Sequence, residues 1–273
     1  PMTAPVLLPL QFEPPLQNPS PYGLFAATNW QVPAEVGDST EGDAVRHLNG
    51  VDFRPVGNYG GDGQSGIWPN DSCATGTEPT PGLIKEGLRA AGLPTFDPIV
   101  VWAYDECDLT EPSRAEVRER AAQVLRLEEQ VDVERELAAR MLADAGVIGQ
   151  TAVTLAQAIG YLEAQLALTS TLGFIHIGAQ WVAQDMDLFL KAGTAYKSPL
   201  GHTYVIGGGY VDGLENAIVA TSPVYGWRDE PTIREAIEER HNTFVAVAER
   251  TVLVGYEHLV AAGQIETTPA RRE

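Results

Sequence analysis

Lysine is nearly missing from this 273-residue chain. Three of its 18 basic residues are Lys, and 37 acidic residues leave a net charge of −19. A chain of that sign repels polyphosphate, which argues against a general nucleic-acid-binding role, and it is repelled by anionic membrane surfaces. No apolar run approaches the roughly 18 residues of a membrane span. Residues 1–10 carry no basic region ahead of an apolar one, so no signal peptide is expected. Two cysteines, Cys73 and Cys107, are too few for a disulfide scaffold. They could form one pair, but two reduced thiols are the expectation for a cytosolic product. An apolar fraction of 44% argues against global disorder.

Catalytic and metal constellations are also lacking. The five histidines, His47, His176, His202, His241 and His258, have no metal-ligand spacing. His176, between Ile175 and Ile177, reads as a packed strand residue. Gly207-Gly208-Gly209 with Gly213 has the look of a dinucleotide loop, but no helix and no acid after a second strand follow it. A hairpin or tight turn between strands is the expected structure. Gly63-Gln64-Ser65-Gly66 lacks the strand-to-helix setting of a nucleophile elbow. Asp105-Glu106-Cys107-Asp108 reads as an exposed acidic turn rather than a cation site. No catalytic, cofactor-binding or metal-ligating residue is assigned.

What is there is unevenly distributed. Fifteen of 19 prolines precede residue 113, and none lies in 113–198. Residues 1–45 therefore read as an extended arm, since proline there forbids a long helix and a central strand. Its apolar residues, among them Leu16, Tyr22, Leu24, Phe25 and Trp30, need a surface, either the arm's own domain or a neighbouring subunit. In residues 46–110, Val51–Val56 alternates as a strand does. Residues 57–66 hold five glycines and read as a loop or hairpin tip. Residues 98–104 are β-rich.

From Ser113 to Asp144 the pattern is helical, with Val117, Ala121, Val124, Leu127 and Val131 on one face and Glu128, Glu129, Asp132 and Arg135 on the other. Such a helix would be about 45 Å long. Thr110 or Ser113 can cap it, and Gly146 and Gly149 end it. A second helix is expected over Thr151–Leu168 (Leu155, Ile159, Leu162, Leu166) and a third over Ala179–Leu190. Strands are expected at 173–177, 203–206, 217–220 and 244–253, with 258–262 closing the fold. Residues 230–240 read as weakly helical or irregular. The excess of Arg over Lys fits either base composition or bidentate Arg–carboxylate contacts at interfaces.

Three stretches are distinctive: Gly173-Phe174-Ile175-His176-Ile177 ahead of a helix, Ala217–Trp227 (AIVATSPVYGW), and Asn242–Ala262 (NTFVAVAERTVLVGYEHLVAA). Together with the element order they resemble tailed-bacteriophage major capsid proteins of the Hong Kong 97-type fold, those of actinobacteriophages above all. The resemblance implies an α+β fold. Its parts would be an N-terminal arm (1–45), an extended β loop (46–110), a spine helix and peripheral-domain helix (111–170), an axial domain (171–235) and the closing strands of a peripheral domain (236–273).

It further implies a non-enzymatic virion subunit without cofactor, assembled in the host bacterial cytoplasm. Pentamers and hexamers of the chain itself would form an icosahedral head enclosing double-stranded DNA without sequence-specific binding. Scaffolding, portal and decoration proteins are further partners of that family. The arm and loop would bury apolar area on neighbours, and assembly would depend on salt. No cleaved scaffolding segment is visible, and no crosslink is expected at Lys85. Alternatives from the same reading are an encapsulin-like compartment shell, a minor virion or head–tail connector protein, and a soluble nucleotide-binding enzyme.

Overall fold

The computed structural model describes residues 12–32, 44–67, 85–152 and 154–266. In chain order these contain α1 (Leu24–Ala27), β1 (Asn29–Trp30), β2 (Ile99–Asp108), α2 (Glu111–Ala145), β3 (Gln150–Ala152), α3 (Leu155–Thr169), β4 (Phe174–Gly178), β5 (Leu190–Ala192), β6 (Ala195–Lys197), β7 (Thr203–Gly207), α4 (Tyr210–Gly213), β8 (Ala217–Thr221), β9 (Val224–Arg228), β10 (Thr232–Glu238), β11 (Thr243–Tyr256) and β12 (Leu259–Ile265). The fold is α+β.

The proline-free stretch keeps an unbroken backbone ladder, and α2 runs for 35 residues, about 52 Å at 1.5 Å per residue. Pro112 sits in its first turn, where no N–H is needed. Thr110 occupies the cap position, but its hydroxyl meets that of Ser113 rather than a helix amide. Gly146, at φ 61°, terminates the helix. The buried row is Val117, Ala121, Leu125, Glu129, Val133, Leu137 and Met141, joined by Glu134 and Ala138. Steps of four residues advance the row by about 40° each, so the buried face winds around the helix. The expected stripe parts from it after Ala121. Val124 is 44% exposed, whereas Glu129, expected on the outer face, is buried.

Five strands, β1-β9-β11-β10 with β2 on the other side of β11, form the sheet beneath α2. β11 is its spine, antiparallel to β2, β9 and β10. Its alternation buries Phe244, Ala246 and Ala248 against the helix side. A seven-stranded sheet follows the order β3-β12-β8-β4-β7-β6-β5. The expected stripe of α3 is buried against it, and Thr154 with Gln157 closes a capping box at the helix start.

Three expectations fail for physical reasons. Residues 179–190 are not an α-helix but two 3-10 turns, Ala179–Gln184 and Met186–Leu188, broken by the extended backbone of Asp185. Trp181 and Phe189 are buried and Met186 is exposed. Residues 232–238 are a regular strand, β10. It is exposed along most of its length, so no polarity alternation betrays it. Val51–Val56 alternates but does not pair as a strand beyond a single bridge between Val51 and Phe96. Phe53 packs instead on the rings of Phe96, Tyr225 and Trp227.

His176 in β4 is fully buried, as its apolar neighbours indicate. Its Nε2 lies 2.9 Å from Thr221 Oγ1 and its Nδ1 2.9 Å from the Tyr210 hydroxyl. Thr221 donates its one proton to the Ser222 carbonyl, so Nε2–H donates to Thr221 and Nδ1 accepts from Tyr210. The ring is neutral, and burial pushes its pKa down to about 3. An unfolded histidine protonates near 6.5, so this stability is complete above that pH and is lost as pH falls toward 3. The His176 contribution should drop by about 2 kcal/mol between pH 7 and pH 5. Urea unfolding of the wild type and His176→Gln at both pH values checks this: the wild type should lose that much more than the variant.

Candidate subunit interface

Any surface for a partner depends first on how the N-terminal arm is fixed. Glu134, on α2, has no solvent exposure. Its Oε1 accepts the Leu24 N–H at 2.9 Å and its Oε2 the Gly209 N–H at 2.8 Å. Burial raises its pKa, while these amides and that of Gly208 pull it back down. Glycine is required on both sides of the carboxylate. A Cβ on Gly207 would sit 2.6 Å from Glu134 Cδ, and one on Gly209 would sit 2.1 Å from the Val131 carbonyl. Gly23, at φ 112°, lies equally close to Gln130. The glycine run is a cradle of amide donors, as in a phosphate loop, but the anion it holds is the chain's own Glu134. It is no hairpin: β7 and β8 both pair with β4, and α4 connects them.

Around this point the arm lies on its own chain. Gln123 donates to the Gln17 carbonyl, Arg126 to Asn18 and Gln130 to the Tyr22 carbonyl. Gln130 also accepts the Phe25 N–H at 3.2 Å. Leu24 is fully buried, and β1 pairs in parallel with β9. Of the two surfaces open to the arm, residues 17–31 take their own body. Phe12 and Leu16 remain exposed.

The loop is anchored at both ends. Arg140 stacks 3.9 Å above the Phe96 ring, donates to the carbonyls of Pro94 and Thr95, and pairs with Asp144 at 2.8 Å. Tyr59 stacks on His258 with centroids 4.5 Å apart. The two limbs approach closely at Leu88, whose N–H donates to the Asp62 carbonyl.

Arginine does carry a bidentate contact, Arg118 Nε and Nη2 on the two oxygens of Glu235, and buried ones, though within the chain. Arg250 grips both oxygens of Glu129 at 2.9 and 3.1 Å. Glu249 pairs with Arg46 and Arg234 at 2.9 and 2.6 Å. Burial raises the Glu129 pKa against the pull of Arg250. Asp229 accepts the backbone N–H groups of Val45 and Arg46, pinning the start of the loop.

Asp105–Asp108 lies in β2, not in a turn. Among the described residues no three His, Cys, Asp or Glu side chains group to hold a metal. The candidate histidines stay apart, and Ser65 lies in an exposed bend. Lys85 is on the exposed loop, Cys107 is exposed, and Cys73 lies outside the described residues. The surface features that stand out are two. One is the outward row of β2, Val100, Trp102 and Tyr104, with Trp102 62% exposed. The other is a groove between the arm, α2 and β10. Sequence alternation could have exposed the row; the groove arises only from tertiary packing.

The Glu134 seat is testable. Glu134→Ala orphans buried N–H groups, at about 1–3 kcal/mol each, and should depress the thermal unfolding midpoint more than Glu134→Gln, which keeps one acceptor. Gly209→Ala should destabilise through its clash with Val131, whereas Gly208→Ala, with its nearest atom at 3.6 Å, should leave the midpoint near that of the wild type.

No family model matches the chain, and no curated protein matches its sequence. Solved structures do match. A structure of the bacteriophage PhiM1 mature capsid is 9% identical with a TM-score of 0.50, covering 98% of this chain and 93% of that one. One from Microbacterium phage Oxtober96 is 13% identical with a TM-score of 0.49, covering 96% and 95%. A virus-like particle from Pyrococcus furiosus is 11% identical with a TM-score of 0.44, covering 67% and 82%. The long helix over a five-stranded sheet, the second sheet and the near end-to-end match with PhiM1 give this chain the fold of the Hong Kong 97-type bacteriophage capsid proteins.

Proposed function

We propose that the chain is the major capsid subunit of a tailed bacteriophage, a non-enzymatic protein that assembles with copies of itself into pentamers and hexamers of an icosahedral head around double-stranded DNA. The observation that carries this reading is the end-to-end match with PhiM1. Exposed apolar residues support it: Phe12, Leu16, Trp102 and Ile233 lie outside the subunit's own core, and assembly is what would bury them.

In this reading residues 1–45 are the arm and 46–110 the extended loop. α2 is the spine. α3 is the peripheral-domain helix of 111–170, residues 171–235 are the axial domain, and residues 236–273 supply the closing strands of the peripheral domain. The virion is the location, and scaffolding, portal and decoration proteins are further partners. No helix among the described residues is long and apolar enough to cross a membrane.

An arm deletion reaching residue 30 is no clean test, because it removes Leu24 from the core and its amide from Glu134. The direct test is electron microscopy of the purified chain with nucleic-acid analysis of virions that contain it. Closed shells, with hundreds of copies per DNA-filled head, are expected. Protein-filled shells identify a compartment instead, tens of copies identify a minor virion or connector protein, and a monomer contradicts the reading. Subunits of charge −19 repel one another, and salt screens that repulsion. Light scattering should therefore register the weakest assembly at low ionic strength.

A further inference from the structure

The groove between the arm, α2 and β10 has a volume of about 640 Å³. Phe25, Leu125 and Ala248 contribute apolar lining, and Ile233 on β10 stands 45% exposed beside them. Its charge is the reverse of the molecule's. Arg126, Arg228 and Arg250 line it against one carboxylate, Glu129, which Arg250 already holds. Arg228 lies over the Trp30 ring at 4.3 Å and has no carboxylate within ion-pair distance among the described residues. Arg250 Nε is buried without a hydrogen-bond acceptor among those residues. Apolar lining, unbalanced cations and an unsatisfied donor together call for an occupant that is apolar and acidic.

The chain itself displays such a surface. Successive β2 side chains face opposite sides of the sheet. Val101 and Ala103 are buried, so Trp102, Tyr104 and Glu106 lie on the other face, away from the core. Asp105 is paired with Arg120 and Asp108 accepts the Thr110 N–H. Glu106 meets only the Tyr104 hydroxyl among the described residues. We propose that the groove seats a second copy of this chain, taking the Trp102–Tyr104–Glu106 row of its β2 against Ile233 and the groove arginines. Groove and row are different surfaces of one chain, so the contact is head-to-tail, the type that forms a ring when its rotation closes.

This inference rests on the shell reading. Arg126→Glu in the groove and Trp102→Glu in the row should each raise the concentration needed for assembly by about tenfold or more, as expected for disrupting one complementary contact. Circular dichroism of the unassembled subunits should stay unchanged; the unfolding midpoint should fall slightly in Arg126→Glu, which loses its surface hydrogen bond to Asn18, and stay unchanged in Trp102→Glu. The charge swap Arg126→Glu with Glu106→Arg should restore particles that Arg126→Glu alone loses. Normal assembly of both single variants overturns the inference and assigns the groove to another partner. Loss in both without rescue by the swap overturns the pairing of these two surfaces. A wild-type chain that stays monomeric overturns the shell reading as well, which separates the two failures.

Discussion

A buried carboxylate bound to backbone amides is the constraint on which the rest of this structure depends. Glu134 has no solvent exposure and, among the described residues, no arginine within ion-pair distance; its charge is met by the Leu24 and Gly209 amides. Those amides come from segments far apart in the chain, so one side chain on α2 holds the arm on one side and the β7–α4 connection on the other. A buried charge tolerates this only when its hydrogen bonds are complete. That completeness requires the backbone to approach within reach of the helix, which is why the flanking positions are Gly23, Gly207 and Gly209. The arm from residue 17 to 31 is thus part of the subunit's body, ordered before any neighbour arrives.

Electrostatics elsewhere follow the same division. Many of the arginines are engaged within the chain: Arg250 with Glu129, Arg46 and Arg234 with Glu249, Arg140 with Asp144. Arg140 and Asp229 tie the loop to this body at its two ends. What the body leaves unsatisfied is compact: a cationic, apolar groove and an aromatic row ending in Glu106. Under the proposed shell reading, these are the surfaces left for neighbouring copies.

Much of the fold was legible in the sequence because one-sided burial writes a period into it. α2, α3, β4, β8 and β11 each bury one stripe or run, and each was expected close to its observed bounds. Elements without that asymmetry were not readable. β10 is exposed along most of its length and carries no alternation. Residues 51–56 alternate because Phe53 packs on aromatic rings, which mimics a strand without a ladder. Residues 179–190 contain apolar groups at helix-like spacing, yet Asp185 breaks the run. Glu129 was assigned to the solvent side because acids usually lie there, and Glu134 was not singled out; only their distant partners, Arg250 and the amides of Leu24 and Gly209, make burial possible. The glycine run was expected to be a hairpin or tight turn with no helix after it, yet α4 follows it directly, and its role around Glu134 needed the helix α2 that fills it.

The central claim is that one chain builds its body around Glu134 and keeps a separate surface for its neighbours. Amide hydrogen exchange, compared between isolated subunits and assembled particles, tests it most directly. The account predicts that the Leu24 and Gly209 amides are protected already in the isolated subunit, whereas β2 around Trp102 and the groove around Ile233 gain protection only on assembly. Fast exchange at Leu24 and Gly209 in the isolated subunit, or no gain at β2 and the groove on assembly, would contradict it.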